Sequence, residues 1–182
     1  MTLFSKTNKI VTTFIFIIIL IGFFLRLGRL DHDLWFDEAG QYWIAKGQNH
    51  FSLDIKTQGI YQILLNNRQS NLDPPLFGLL LHFWSSPNNS IIWLRLLPNL
   101  FGIFTLLYIY KTLKLFQLNY LLTVFICLLA WVSFSFIDYA QELRSYSLGM
   151  FSTAATFYYL NAYLLFHKNK KTLVKLITFS II

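Results

Sequence analysis

The chain has 182 residues, 55% of them hydrophobic and only 13% charged, with a mean hydropathy of +0.51. Soluble domains are about a quarter charged, so this composition excludes an ordinary soluble domain and indicates an integral membrane protein. The formal charge of +7 would suggest a nucleic-acid partner in a soluble protein. Here the basic residues cluster in short connections between apolar runs, which makes them orientation signals for a bilayer, and no nucleic acid is expected. Aromatic residues reach 19%, as suits lipid-facing helices with interfacial belts. The single cysteine, Cys127, lies inside an apolar run and has no partner for an internal disulfide.

Taken in order, the pattern predicts an all-α polytopic membrane protein with four transmembrane helices and the start of a fifth. Residues 1–9 form a short basic segment with Lys6 and Lys9. Residues 10–27 are almost uninterrupted Ile, Phe and Leu and form the first span. No small-x-small cleavage site follows and Arg26 and Arg29 come next, so this is read as an uncleaved helix rather than a secretory signal.

Residues 28–90 form a long first outer loop, which must carry structure of its own. Between Asp31 and Asp73 it holds six acids (Asp31, Asp33, Asp37, Glu38, Asp54, Asp73) against three bases (Lys46, Lys56, Arg68), a net charge of −3. A short helix is expected over Asp37–Ala45 with its acids in the first turn, where the helix dipole favours them. Ile60, Ile63, Leu64 and Leu65 mark a second, amphipathic piece suited to lying on the bilayer surface. Asp73-Pro74-Pro75 opens a third, since proline is accepted in a first turn. Its apolar part, Leu76–Trp84, is too short to cross. Asn88-Asn89-Ser90 matches the glycosylation sequon, a pattern too common to weigh.

The second span covers 91–116, the third 120–137, a second outer loop 138–145, the fourth span 146–166, and residues 172–182 begin a fifth. With four crossings, eight of the ten lysines (Lys6, Lys9, Lys111, Lys114, Lys168, Lys170, Lys171, Lys175) fall on one side. That side is cytoplasmic by the positive-inside rule. The acidic loop and the 138–145 turn then share the outer face.

Adjacent carboxylates, a second acidic turn and a nearby arginine on one face suit group transfer from an anionic lipid carrier. A carboxylate takes the proton of an attacking hydroxyl, and a departing phosphate needs positive charge or a metal. Asp37 is the candidate base, Glu142 or Asp138 the second carboxylate, and Arg144 the phosphate ligand, because guanidinium grips phosphate through parallel hydrogen bonds. On a helix, Asp138 and Glu142 would share a face. Arg95, near the outer end of a span, either neutralises a lipid phosphate or snorkels to the headgroups. Asp31-His32-Asp33 has metal-compatible ligands but reads more simply as solvated loop, and His82 as a satisfied interfacial histidine. No cofactor is assignable; a divalent metal stays open as an alternative.

Four stretches then form a pattern in order: Leu34-Trp35-Phe36-Asp37-Glu38-Ala39, Pro74-Pro75-Leu76, Arg95-Leu96-Leu97-Pro98 with Gly102, and Tyr139-Ala140-Gln141-Glu142-Leu143-Arg144-Ser145-Tyr146. This resembles the N-terminal portion of the GT-C membrane glycosyltransferases of the protein O-mannosyltransferase group (family 39), which takes in aminoarabinose transferases and Rgt-type galacturonosyltransferases. The resemblance runs from the first helix to about Tyr159. It implies a multi-pass enzyme moving a sugar from a polyprenyl-phosphate donor to a glycan, lipid or protein hydroxyl at the outer face. It assigns catalytic roles to Asp37, Glu38 and Glu142 and substrate binding to Arg144, Arg95, Tyr139 and Asp138. Members of the group carry further helices and a C-terminal portion, so a missing C-terminal half is the expected partner. The alternative is a non-catalytic membrane protein, either a decayed remnant or a subunit completing a split enzyme.

Overall fold

The computed structural model describes residues 2–28, 30–48, 59–70, 74–165 and 169–182. Among the described residues there are nine α-helices and no strand: α1 (Thr2–Leu27), α2 (Phe36–Ala45), α3 (Ile60–Ser70), α4 (Pro75–Trp84), α5 (Ile91–Leu115), α6 (Tyr120–Val132), α7 (Phe134–Gln141), α8 (Tyr146–Leu165) and α9 (Lys170–Ile181). The chain is all-α, as expected. Arg29, Asp54, Lys56, Asp73 and Lys168 lie outside the described residues.

The long helix α5 is the axis. Leu94, Leu97, Pro98, Phe101, Gly102, Thr105, Tyr108 and Thr112 recur at helical spacing and are buried along it. Thr105 and Thr112 turn their hydroxyls back onto Phe101 O and Tyr108 O (2.8 Å each), so their polar atoms cost little inside the packing. On this stripe α8 lies most extensively, followed by α7, α6 and α4. Gly102 lets α7 come close: a Cβ there would stand 3.0 Å from the Ala140 methyl. Phe151 of α8 and Phe179 of α9 join Phe101, Phe104, Tyr108 and Tyr159 in an aromatic cluster.

The described residues of the expected first outer loop do carry structure. α2, α3 and α4 pack on one another through Ile44 and Ala45, Ile63, and Phe77 and Leu81, all fully buried. Gly47 ends α2 at φ 74°, a conformation open to glycine, and its carbonyl takes a 2.8 Å bond from Asn66 Nδ2. His82 Nδ1 sits 2.9 Å from Ala45 O, which makes this histidine a packing residue, as expected. Pro75 opens α4 with Pro74 extended before it. At the far end Asn88 Oδ1 accepts from Ser90 N (2.8 Å) and Ser90 Oγ caps α5 through Trp93 N, so the sequon serves a turn and a helix start.

The expected third span departs from the prediction. Residues 120–137 are not one helix: α6 and α7 meet at Ser133 with a bend of 54°. Neither proline nor glycine causes it. Ser133 is extended (ψ 138°) and its hydroxyl bonds Ala130 O at 3.1 Å, the local competition serine offers a helix. The carbonyl of Trp131, left without a helical donor, is taken by Arg26 Nη1 at 2.9 Å.

Among the described residues, one helix, α5, is long and apolar enough to cross a membrane, and the bent α6–α7 pair passes only if counted as one span. Four unbroken spans are therefore not what the described helices present. The described apolar part of α1 is Ile15–Leu27, and α8, though 20 residues long, carries Ser147, Ser152, Thr153, Thr156 and Asn161.

Candidate functional site

The site begins at the N-terminus of α2. Trp35 precedes the helix in extended conformation, and its indole offers no oxygen to cap the first turn. Glu38 supplies the cap from the other direction: its Oε2 accepts from Trp35 N at 3.3 Å. The same oxygen accepts from Arg95 Nη2 at 2.8 Å, and Oε1 accepts from the backbone N–H of Leu143 at 2.7 Å. Glu38 is 1% exposed and Arg95 5%, so the pair lies inside the protein. Arg95 Nη2 also reaches Asp33 O at 3.4 Å. One carboxylate thus ties α2, α5 and the turn after α7 together across more than a hundred residues of chain.

Its neighbour is placed differently. Asp37 Oδ2 accepts from Arg144 Nη1 at 2.8 Å, with the two side chains 40% and 18% exposed. Arg144 also stands 4.8 Å over the ring of Tyr146, which packs at 5.2 Å against Tyr139. Tyr139 therefore reaches the site only through its tilted ring contact with Tyr146.

Between these elements lies a polar cleft of about 330 Å³ lined by His32, Asp33, Trp35, Glu38, Arg95, Asp138, Gln141 and Glu142. Four of its liners are acids and one is arginine. Of the expected site residues, Glu38, Arg95, Asp138 and Glu142 share this cleft, while Asp37 and Arg144 pair beside it rather than in its lining.

Two expectations need correction. Asp138 is not the start of a loop, because α7 continues to Gln141 and the turn begins at Glu142. Nor do Asp138 and Glu142 share a helical face: Glu142 leaves the helix in extended conformation (ψ 132°), although its N–H still bonds Asp138 O at 3.1 Å. His32 and Asp33 are exposed loop residues, as expected, and they also border the cleft. Gln141 was not singled out; it closes the wall by donating to Leu25 O at 2.9 Å. Its signal was its position inside the Tyr139–Tyr146 motif.

Among the described residues no group of three or more His, Cys, Asp or Glu gathers as a metal-ligand set. Comparison of the chain with protein-family models, with curated proteins and with solved structures finds no match.

Proposed function

We propose that this chain is the N-terminal part of a multi-pass membrane glycosyltransferase that transfers a sugar from a polyprenyl-phosphate donor to an acceptor hydroxyl at the outer face. The observation that carries the reading is the 2.8 Å pairing of Asp37 with Arg144, 107 positions apart in sequence. A carboxylate and a guanidinium at one half-exposed point are the two groups the transfer needs. Large exposed apolar side chains along α1, α6 and α8 (Phe16, Phe24, Leu121, Phe125, Phe157 and Leu164 among them) support a bilayer around the bundle. The lysine asymmetry supports a cytoplasmic N-terminus.

In this reading Arg144 is held by Asp37 until a donor arrives. The donor phosphate then draws Arg144 away through charge-assisted hydrogen bonds, which releases Asp37 as base. The acceptor oxygen attacks the anomeric carbon, its proton passes to Asp37, and the bond from anomeric carbon to phosphate oxygen breaks. The carrier phosphate leaves with its negative charge balanced by Arg144. Glu38 takes no proton here; buried and triply hydrogen-bonded, it fixes Arg95 and Leu143 and so the turn that presents Arg144. Glu142 and Asp138 face the cleft as acceptor-side carboxylates.

The test is transfer from radiolabelled polyprenyl-phosphate sugars by membranes carrying the whole protein to which this chain belongs. Time-dependent label in a glycan, lipid or protein product is expected. Absence of transfer across hexose and pentose donors, with the protein present and folded, would leave the non-catalytic alternative. Sidedness is read by cysteine labelling in a Cys127→Ser background: an outside-only reagent should reach a cysteine at Gln69 and not one at Lys170, and the converse would reverse the orientation.

A further inference from the structure

Lysines collect at the end of the bundle opposite the cleft. Lys111 and Lys114 stand in the last turns of α5, and Lys170, Lys171 and Lys175 in the first two turns of α9. Arg95 marks the cleft end of α5 and lies about 24 Å from Lys111 along the helix, at a rise of about 1.5 Å per residue. Neither ion pair among the described residues involves a lysine, and the acids that line the cleft belong to the other end. Local helix energetics do not account for Lys170 and Lys171, because they open α9 without an acid in its first turn, where the helix dipole disfavours cations. Five cations with no carboxylate beside them repel one another until an anion from outside the chain answers them.

Two of these lysines are held in place. Lys111 Nζ lies 4.7 Å from the centre of the Tyr108 ring, and Lys175 Nζ 5.6 Å from that of Tyr159. The two rings are 5.7 Å apart and their hydroxyls share a hydrogen bond of 3.1 Å, so α5, α8 and α9 bring both ammonium groups to one tyrosine pair. Phe179 packs on both rings, at 5.8 and 5.5 Å, and fixes that register. With Phe179 against Phe151 and Lys175 over Tyr159, α9 runs back along α8, which places Lys170 and Lys171 beyond Lys175 at the same end. Lys111 is half-buried and the other four lysines are exposed, so the patch is open to a ligand. The same turns carry exposed apolar side chains, Leu107, Phe116, Val174 and Ile177. Fixed cations bordered by exposed hydrocarbon complement an amphiphile with an anionic headgroup, and suit it better than a wholly polar polyanion such as nucleic acid.

We propose that this end of the bundle binds bilayer lipids with an anionic headgroup. The lipid phosphate lies against the ammonium groups of Lys111 and Lys175, and Lys114, Lys170 and Lys171 add positive charge around it. The acyl chains run along the apolar faces of α5 and α9. In the proposed orientation the lipid belongs to the cytoplasmic leaflet, and its attraction holds this end of the bundle at the headgroup level. The lipid is distinct from the sugar donor, which meets the chain at the opposite end beside Arg144. The inference needs a bilayer around the chain and does not need the glycosyltransferase reading.

The test uses the full chain purified in detergent and native mass spectrometry titrations of phosphatidic acid and of diacylglycerol with the same acyl chains, which differ by the phosphate alone. Phosphatidic acid is expected to bind about twentyfold more tightly, at about fivefold for each engaged lysine. Lys111→Gln with Lys175→Gln should remove that advantage, while Lys111→Arg with Lys175→Arg, which keeps the charge and the contact with tyrosine, should retain it. Lys46→Gln is the control: Lys46 Nζ lies 5.4 Å over the Tyr42 ring at the cleft end, so the change removes one charge and a like contact elsewhere and should leave binding unchanged. Should the Lys111–Lys175 glutamine variant fail to fold, Lys170→Gln with Lys171→Gln, at the exposed start of α9, should by itself weaken phosphatidic acid about fivefold. Equal binding of the two lipids, unchanged binding by the glutamine variants, or an equal loss in Lys46→Gln would overturn the proposal. Displacement of the lipid by equimolar inorganic phosphate or by an equimolar oligonucleotide would overturn it too, by assigning the patch to a soluble anion or to nucleic acid.

Discussion

Asp37 and Glu38 are neighbours on the same helical turn, each paired with an arginine at 2.8 Å, yet the two ion pairs do different work. Glu38–Arg95 is sealed inside the protein and further bound by two backbone N–H groups. Asp37–Arg144 is half open to the surroundings, and Asp37 Oδ1 has no hydrogen bond among the described residues. A buried pair whose carboxylate is bound by three donors holds chain segments together. A pair open to the surroundings is in a position to exchange a partner for a ligand. In the proposed reading, burial rather than charge or spacing separates the structural carboxylate, Glu38, from the base, Asp37.

The largest effect on stability is expected at the buried pair. Arg95→Ala leaves the buried Glu38 carboxylate without its ion-pair partner, and should cost about 3–5 kcal/mol in detergent-based unfolding measurements. Replacing both partners, Glu38→Leu with Arg95→Leu, should recover much of that loss, because two apolar groups leave no stranded charge. A double variant as unstable as Arg95→Ala would mean that the bonds to Leu143 N and Trp35 N matter more than the ion pair itself. A middle effect is expected where α7 approaches α5. Gly102→Val pushes against the Ala140 methyl, already only 3.0 Å from a Cβ at that position, and should cost about 1–3 kcal/mol. Since α7 carries Asp138 and Gln141, the same change should lower transfer; full activity in a destabilised Gly102→Val protein would detach the cleft from the chemistry. The smallest stability effect is expected at the open pair: Arg144→Ala should change unfolding by no more than about 1 kcal/mol, the range of exposed pairs. Its loss should appear instead as weaker binding of the lipid-linked sugar.

Much of the segment between α1 and α5 was legible because its signals are local. Acids at Asp37 and Glu38, the apolar spacing of Ile60, Ile63 and Leu64, and Pro75 each act within one or two turns, and α2, α3 and α4 start within a residue or so of those signals. The break between α6 and α7 was not legible. Serine in an apolar run is ordinarily tolerated, and what stabilises the break is Arg26, over a hundred positions away, answering the carbonyl of Trp131. Glu142 left the helix for a similar reason: the next residue's N–H is claimed by Glu38, a contact no local pattern contains. Two adjacent acids also look alike in a sequence, so the division of labour between Asp37 and Glu38 emerges only once their partners from α5 and the second turn are in place.

The proposed division is tested most directly by Asp37→Asn in the whole protein to which this chain is proposed to belong, with transfer and donor binding measured separately on protein of verified fold. Asparagine keeps the size of the side chain and one hydrogen-bonding oxygen but removes the site that takes up the proton. Turnover is expected to fall by about two to four orders of magnitude while the lipid-linked sugar still binds and the unfolding temperature stays close to that of the parent. Near-normal turnover by Asp37→Asn would contradict the account and move the base to Glu142 or Asp138 within the cleft.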